Sequence, residues 1–382
     1  MSKSKHTTNE DTIYQDTIIS EDSELHDVLT SENFNISQES LDSAVNDMNA
    51  QIIMDNILDS FNMPYVVDPS VTLIHEQNPF KKIELAGRTC YKSEDKITKD
   101  SAKDFYQMLV NRKHYAMIEH ASMAFLIDCS DGQEEELMDY IQFIQKSEYL
   151  SVTVEASIPR ILVSGNVRWI LDRRVIDPIY IAMITKYPEL QFYDEEFEDS
   201  TYYNIHATIV DLRKLKDLTP DEFLAHFYFT ARFITDRGVS HEIVRHRRFS
   251  FAQESTRYCN YSKDKFGGRV TYCKPTTYDS WNEDQKDAFN TFLSAAESVY
   301  NYLVSEGDQA LQPQQARAVL PNTLKTEIVV SGPAYEWLHF FNLRSKGLTG
   351  APHPDMKYVA DIALYKINKY IKSLKFQNNL TF

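Results

Sequence analysis

The chain contains little glycine and little cysteine, and it has no long apolar run. Ten of its 382 residues are glycine, and no Gly-x-Gly-x-x-Gly fingerprint of a dinucleotide-binding unit is present. No stretch of 18 apolar residues occurs, which excludes a transmembrane helix. The cysteines are scattered, without a Cys-x-x-Cys pair: Cys90, Cys129, Cys259 and Cys273. This spacing argues against a metal site or a disulfide framework and predicts a protein of the reducing cytoplasm.

Negative charge is concentrated at the start of the chain. The formal net charge is −16, and residues 1–63 hold thirteen Asp and Glu against two Lys. We therefore predict an acidic, largely disordered extension over residues 1–64, followed by a compact domain over 65–382. Within the extension, apolar residues from Leu41 to Ile52 have helical spacing, which predicts a short amphipathic helix for the chain's own core or for a partner. The charge pattern implies no broad basic surface, so nucleic-acid binding is not favoured.

The predicted elements favour an α+β fold over a doubly wound sheet, because helices outnumber strands and do not alternate with them. The helices are predicted at 81–91, 100–111, 240–247, 282–305, 313–318, 333–343 and 355–374, and strands at 122–127 and 227–233. Between the two strands, residues 130–222 have the character of an insertion.

One phrase occurs twice along the chain. Residues 158–171 and 326–338 both read as a strand, a Ser-Gly turn and the start of a helix that carries a Trp. An internal duplication and a chance recurrence are alternative explanations of this similarity, and the sequence does not decide between them.

Residues 245–258 concentrate four Arg, one His, two Ser and one Thr within an acidic protein. The planar guanidinium of Arg meets phosphate or carboxylate oxygens two at a time, so the segment predicts an anion site. The alternative is a solvated basic helix, but the interleaved Phe249, Phe251 and Tyr258 predict partial burial. Arg245 and Arg247 would point apart on a helix unless the helix ends there. An extended chain over residues 254–258 would project Ser255 and Arg257 to one side as a phosphate cradle.

The same residues carry a family resemblance. Gly238-Val-Ser-His-Glu-Ile-Val-Arg-His-Arg247, followed by Ser250 and by Ser255-Thr-Arg-Tyr258, resembles the signature of the flavin-dependent thymidylate synthases, and the resemblance covers about residues 80–127 and 227–370. It implies a catalytic domain with helices around a small, mostly antiparallel sheet. It also implies FAD-dependent reductive methylation of dUMP to dTMP, with 5,10-methylenetetrahydrofolate as carbon donor and NADPH as reductant. The family further implies a homotetramer with shared sites, and we expect no nucleic-acid or membrane partner.

The resemblance also implies roles for individual residues. Residues matching dUMP-binding positions are Glu242, Arg245, Gln253, Glu254, Ser255, Thr256, Arg257, Arg317 and Arg344. Those matching FAD-binding positions are His114, Arg245, His246, Arg247, Gln253 and His339. Arg344 matches the residue that polarises the uracil, which makes it the candidate catalytic group.

This sequence departs from the family pattern at three positions. Gln253 stands where many members have Glu, and Pro333 and Tyr335 stand where Asn and Arg are common. Asn166 and Arg168, in the earlier copy of the repeated phrase, match that pattern better. Which copy reaches the flavin is open at this point.

The resemblance favours a mechanism without a covalent enzyme nucleophile, because no cysteine fits the pattern of the cysteine-dependent synthases and Ser255 lacks a neighbouring base. The alternative functions are a related flavin- and folate-dependent modification of dUMP and a catalytically impaired nucleotide-binding homologue.

Overall fold

The structure is a computed structural model that describes residues 63–155, 160–172, 177–191, 202–263, 267–305, 307 and 309–382. The predicted acidic extension and its amphipathic helix therefore lie almost entirely outside the described residues. The chain divides into two compact units. Of the described residues, the first unit holds 63–67, 260–272 and the part from 280 to 321, and the second holds those in 68–259, 273–279 and 322–382.

Most predicted elements are present, with shifted ends. The helices are α1 (Pro79–Tyr91), α2 (Ser101–Asn111), α3 (Glu134–Gln145), α4 (Val167–Asp172), α5 (Pro178–Lys186), α6 (Pro220–His226), α7 (Arg237–Ile243), α8 (Glu283–Val304), α9 (Pro313–Ala316), α10 (Ala334–Arg344) and α11 (Pro354–Ser373). The strands are β1 (Tyr65–Val67), β2 (Ser70–Leu73), β3 (Ser122–Cys129), β4 (Leu150–Glu155), β5 (Arg160–Asn166), β6 (Ile205–Val210), β7 (Tyr228–Asp236), β8 (Ser250–Gln253), β9 (Thr271–Cys273) and β10 (Lys325–Pro333).

The first unit is built around the long helix α8. Asn282 caps its N-terminus by accepting a hydrogen bond from the N–H of Gln285, which the polar residues before the helix predict. The hydroxyl of Tyr272 donates to the carbonyl of Leu293, so the helix is tied to β9, which pairs with β1 in a two-stranded sheet.

The second unit contains two four-stranded sheets. Their strand orders are β2-β7-β10-β8 and β4-β5-β3-β6, and the described pairings in both are antiparallel. The prediction of an α+β fold with antiparallel pairing is confirmed, although two sheets stand where one was expected. Residues 130–222 supply β4, β5 and β6, which pair with one another or with β3. The predicted insertion is thus built into the second sheet, and its status as an insertion stays a prediction.

The repeated phrase has the same place in each sheet. Strand β5 leads directly into α4, and β10 leads directly into α10. Ser164 pairs with Ala124 of β3, and Ser331 pairs with Thr230 of β7 in the matching register. The expected Ser-Gly turn is wrong, because the serine and glycine of both copies are paired as strand residues.

Both glycines of the repeated phrase are required by close packing. A Cβ atom at Gly332 would lie 2.3 Å from the ring of Phe249, and one at Gly165 would lie 2.6 Å from the side chain of Leu150. Trp169 and Trp337, by contrast, do not occupy equivalent positions in the two copies. In the matched register Trp337 corresponds to Ile170, and both of these side chains are fully buried.

Two buried histidines link the sheets reciprocally. His120 precedes β3, and its Nδ1 lies 2.8 Å from the Oγ of Ser331 in the other sheet. His226 precedes β7, and its Nδ1 lies 2.9 Å from the Oγ of Ser164. Each histidine is two residues before its strand and is 1% exposed. Matched strand orders, registers and cross-links favour an internal duplication over chance recurrence.

Two apolar cores surround the sheets. Phe233, Val330 and Trp337 belong to the core that packs α10 and α11 on the β2-β7-β10-β8 sheet. Phe125 and Ile83 belong to the core between the second sheet and α1 and α2. Within the described ranges, no helix combines the length and apolarity that a bilayer span requires.

The buried histidines predict acid sensitivity. Burial lowers the pKa of His226 to about 4 and that of His120 to about 3, from 6.5. Below pH 6.5 the unfolded chain takes up protons that the folded chain excludes, so stability falls as pH falls towards these values. Each histidine should cost about 2 kcal/mol of unfolding free energy between pH 7 and pH 5.

The variant His226→Gln, which does not titrate, should reduce the loss of unfolding free energy between the two pH values by about 2 kcal/mol in denaturant titrations. His206→Gln is the control, because His206 is exposed. An unchanged pH dependence in His226→Gln would contradict the assignment.

Candidate active site

The Arg-His-Arg segment lies just beyond the end of α7. The Asp236 side chain accepts a hydrogen bond from the N–H of Val239 and starts the helix, which ends at Ile243. The predicted helix over 240–247 therefore stops four residues early. Arg245 and Arg247 therefore lie beyond the helix and are not held on its opposite faces. Both guanidinium groups can contact the same ligand.

The guanidinium groups of this segment are exposed, while the rings of His246 and Phe249 are buried. The expected burial of Tyr258 is wrong, because this side chain is 64% exposed. Arg245, Arg247 and Arg257 are exposed and make no hydrogen bond or ion pair through their side chains to any described residue. His246 is 5% exposed and Phe249 also 5%. The expected partial burial thus anchors the segment through its rings and leaves three cations available to a ligand.

The Arg344 side chain is held by Glu242 and His246, which lie in the first part of the motif. Its Nη1 donates to the Glu242 carboxylate at 2.7 Å, and its Nε donates to the Nε2 of His246 at 3.2 Å. Burial first, and then the Arg344 charge, lower the pKa of His246 to about 4, so the ring is neutral at pH 7 and accepts this bond. Arg344 ends α10, yet its contacts go beyond those of a cation at a helix C-terminus.

Gln253 and Glu254 lie on and just after β8, and protein groups hold both. The amide of Gln253 donates to the hydroxyls of Ser240 and Thr326. Glu254 is 3% exposed and lies 3.1 Å from the Lys325 ammonium. Because Glu254 is already paired, its predicted dUMP contact requires the ligand to share or replace that partner.

Lys325 belongs to a buried ion cluster that the sequence did not reveal. Its ammonium bonds Glu327 at 2.5 Å, and Lys92 bonds the same carboxylate at 2.6 Å. Burial would raise the pKa of Glu327, but the two lysines and Arg232 outweigh it and hold this pKa near 2. The N–H of Glu254 donates to the Glu327 carbonyl, so pairing of this part of the chain with β10 brings the two residues together. Lys92 joins them from 235 residues away along the chain.

The segment after β8 turns instead of continuing as a strand. The N–H groups of Tyr258 and Cys259 both donate to the Ser255 carbonyl, and the N–H of Arg257 donates weakly to the Ser255 hydroxyl. The prediction of an extended chain over 254–258 is therefore wrong, and a turn at Ser255 brings Arg257 to the surface. The Ser255 N–H donates to the carbonyl of Cys90, which fixes the turn against the end of α1.

A cavity of about 540 Å³ lies beside the motif. Arg247 and Ser250 line one part of it, and Asn166 and Arg168 line another. Pro333 and Tyr335 also line it, so both copies of the repeated phrase face the same space. Glu119, which sequence reasoning missed, pairs with Arg168 at 2.5 Å and accepts a bond from Ser250.

The remaining predicted residues lie elsewhere. His114 is partly buried, and its Nδ1 lies 2.5 Å from the Tyr91 hydroxyl. His339 is exposed, with its ring 5.7 Å from that of His246. Arg317 belongs to the first unit. In the described residues no group of three or more His, Cys, Asp or Glu side chains could hold a metal ion.

A family model matches most of the chain. The model of the thymidylate synthase complementing protein family matches residues 72–163 and 178–370. The chain belongs to this family. The match runs through β10 and α10 and includes Arg344, the motif and the later copy of the repeated phrase. Most of the earlier copy, from Ser164 to Leu171, lies in the unmatched stretch 164–177.

Curated relatives align with only about a third of this chain. A flavin-dependent thymidylate synthase from Geobacter sulfurreducens is 35% identical over 134 residues, which are 35% of this chain and 54% of that protein. One from Corynebacterium glutamicum is 32% identical over 147 residues, or 35% of this chain and 53% of that protein. The chain thus spans about half the length of the curated relatives it matches.

A solved structure also aligns weakly. The UMP/dUMP methylase PolB from Streptomyces cacaoi, bound with 5-Br dUMP, gives a TM-score of 0.35 with 13% identity over 80% of this chain and 92% of that one. A likeness of this size carries no functional conclusion.

The buried ion cluster of this family member should be essential for stability. Lys325→Met removes a cation that two buried carboxylates, Glu254 and Glu327, share, which should cost about 3 kcal/mol of unfolding free energy. The matched control is Lys103→Met, whose partner Glu189 is exposed, and it should cost less than about 1 kcal/mol. Equal losses in denaturant titrations of the two variants would contradict the role given to the cluster.

Proposed function

We propose that the chain catalyses FAD-dependent reductive methylation of dUMP to dTMP, with 5,10-methylenetetrahydrofolate as carbon donor and NADPH as reductant. The observation that carries the proposal is the fixed guanidinium of Arg344, which two other motif residues orient. Glu242 accepts from Nη1 and His246 accepts from Nε, so the group is positioned before any ligand arrives. Membership of the family supports the same reading.

Arg344 would activate the pyrimidine electrostatically. A guanidinium stays charged at any physiological pH, so beside the uracil it stabilises the anion left when the N3 proton is lost. The negative charge raises electron density at C5, the carbon that accepts the methylene group. Glu242 acts as a positioning residue, and the neutral ring of His246 holds the guanidinium without adding a competing positive charge.

The unpaired cations of the motif suit the nucleotide phosphate. Arg245 and Arg257 make no side-chain ion pair with described residues, so binding a phosphate breaks no existing bond. Arg257 lies in the turn at Ser255, whose hydroxyl adds a donor for a phosphate oxygen. Thr256 and Glu254 flank this turn and complete the proposed dUMP contacts from the second unit.

The cavity of about 540 Å³ fits part of a flavin dinucleotide. Its volume lies within the usual range of ligand pockets, and its lining combines the unpaired cation Arg247 with the rings of Trp169 and Tyr335. Asn166 and Arg168 would hold the flavin from one side and the Arg247 segment from the other. Bound there, FAD supplies the two-electron reduction chemistry, while the protein orients the reactants. We infer that the two copies of the repeated phrase share this role.

The chain's own nucleophiles fit a mechanism without a covalent enzyme adduct. The backbone carbonyl of Cys90 accepts a hydrogen bond from the N–H of Ser255, and burial, with Glu254 adding to it, raises the pKa of the Cys90 thiol to about 11. A thiolate is therefore scarce at pH 7. The Ser255 hydroxyl contacts a backbone N–H and has no base as a partner among the described residues.

The family's homotetramer with shared sites and a cytoplasmic location complete the proposal. Sedimentation equilibrium of the purified chain measures the subunit number directly.

The proposal predicts a flavoprotein. Purified protein, or protein incubated with FAD, should show a flavin absorption spectrum that NADPH bleaches and dUMP perturbs. Labelled methylenetetrahydrofolate should yield labelled dTMP, whereas a hydroxymethylated product would indicate the related modification of dUMP. Flavin and dUMP binding without any product would indicate the impaired homologue, and a protein that stays colourless would contradict the proposal.

Two variants test the flavin cavity. Arg247→Leu and Arg168→Leu should each weaken FAD binding at least tenfold, a change of about 1.4 kcal/mol. The control is Arg213→Leu, because Arg213 has a similar exposure and an Asp partner but does not line this cavity. Fluorescence titration with FAD measures the affinities, and unchanged affinity in both variants would remove the cavity from the proposal.

Three further variants separate activation from binding. Arg344→Lys keeps the charge but loses the fork, so kcat should fall about a hundredfold. Ser255→Ala should raise the KM for dUMP and leave measurable methylation, and Cys90→Ala should leave kcat within a factor of about three. Steady-state kinetics with dUMP decides this, and complete loss of turnover in Ser255→Ala with normal dUMP binding would instead support a serine nucleophile.

A further inference from the structure

A second cavity, of about 310 Å³, lies away from the motif. Its lining includes no residue of 237–257 and does not include Arg344. It is enclosed by the ends of β2 and β6, the first residues of β3 and of β7, and the N-terminal turn of α1. Tyr228 is the described residue that lines both cavities.

The charge of this lining is positive in a protein whose net charge is −16. Lys82, Lys186, Arg213 and Lys214 line it, and Asp211 is the only acid among the described lining residues. Asp211 already accepts two hydrogen bonds from Arg213, at 2.8 and 2.7 Å. The three lysines are left as positive charges that Asp211 does not neutralise.

Lys82 is the residue that makes this a built site. It is 8% exposed, and its ammonium has no hydrogen bond or ion pair with any described residue. The nearest acid that influences it, Glu76, already accepts from the N–H groups of Gln77 and Asn78. A buried ammonium without a partner is costly, and burial accordingly lowers the pKa of Lys82 to about 8. An anion in the cavity would remove that cost.

The rest of the lining suits a planar ring. Tyr187, Tyr228 and Tyr370 present aromatic surface, and the ring of Tyr370 lies 4.1 Å from that of His75. Met123 and Leu212 add apolar surface. A bare inorganic anion would leave this surface without a contact, whereas a ring joined to an anionic group would cover it.

We propose that this cavity binds a small phosphorylated ligand with a planar ring, of the nucleoside monophosphate class, with its phosphate paired to the Lys82 ammonium. The site is separate from the proposed dUMP site, so its occupant acts as an effector or a structural ligand and is not a substrate.

Paired lysines on one helix provide the test. Lys82→Met removes the buried charge at nearly constant length, and Lys81→Met is the matched control, because Lys81 is the neighbouring residue on α1 and does not line the cavity. AMP and dTMP are titrated calorimetrically against each protein both with and without saturating dUMP, because dUMP fills the proposed substrate site but also belongs to the ligand class proposed for this cavity. Wild type and Lys81→Met should bind one of the two monophosphates, and Lys82→Met should bind it at least tenfold more weakly.

Two further measurements keep the result decisive. The nucleoside without its phosphate, and inorganic phosphate alone, should each bind at least tenfold more weakly than the monophosphate. Without ligand, Lys82→Met should unfold at a higher denaturant concentration than wild type, because it no longer buries an unpaired charge. Equal monophosphate affinity in the two variants, or no binding by wild type at millimolar concentration, would overturn the proposal. The comparison does not depend on whether the chain acts on dUMP.

Discussion

The two histidine–serine hydrogen bonds between the sheets are the constraint on which the second unit depends. His120 contacts Ser331 on β10, the strand that leads into α10, and His226 contacts Ser164 on β5, the strand that leads into α4. Each sheet therefore holds the strand of the other sheet that precedes a helix. The serine hydroxyl satisfies the Nδ1 of each neutral buried imidazole without a charge, and the Thr153 hydroxyl contacts the Nε2 of His226. Because these bonds fix where α4 and α10 begin, they also fix the walls of the cavity between the two helix starts.

Duplication explains how one chain can build an asymmetric site. The two sheets share strand order and register, yet only the second half carries the Arg-His-Arg motif. At equivalent positions, Arg168 and Tyr335 face one cavity, and the guanidinium is supplied by the half that lacks the motif. A position that departs from the family pattern in one copy can thus be compensated by the other copy, because packing brings the two helix starts together.

Charge is distributed so that cations are either neutralised in the core or left available at a cavity. The lysines at Glu327 are fully used within the buried cluster. Arg245, Arg247 and Lys82 have no anionic partner among the residues that the structure describes. The buried ammonium of Lys82 is costly without a ligand, whereas the exposed guanidinium groups of Arg245 and Arg247 stay hydrated until a ligand binds them.

The sequence by itself determined the fold class, most of the helices and the identity of the motif. Local periodicity and capping residues such as Asn282 are short-range signals, so they can be read without a structure. The sequence misjudged local geometry where hydrogen bonds from elsewhere decide it. Ser164 and Ser331 read as turn residues but are strand residues, and the chain at Ser255 turns where an extended strand was expected.

Only the tertiary structure decided which distant residues meet. Lys92 contacts Glu327 across 235 residues, Lys82 is left without a partner, and Glu119 joins Arg168 at the cavity. None of these has a periodic or motif signal, because their pairing follows from strand register and helix packing. The chemical character of the site is therefore written in the motif, while the two cavities, and the charges left unpaired at them, exist only because the two halves fold against each other.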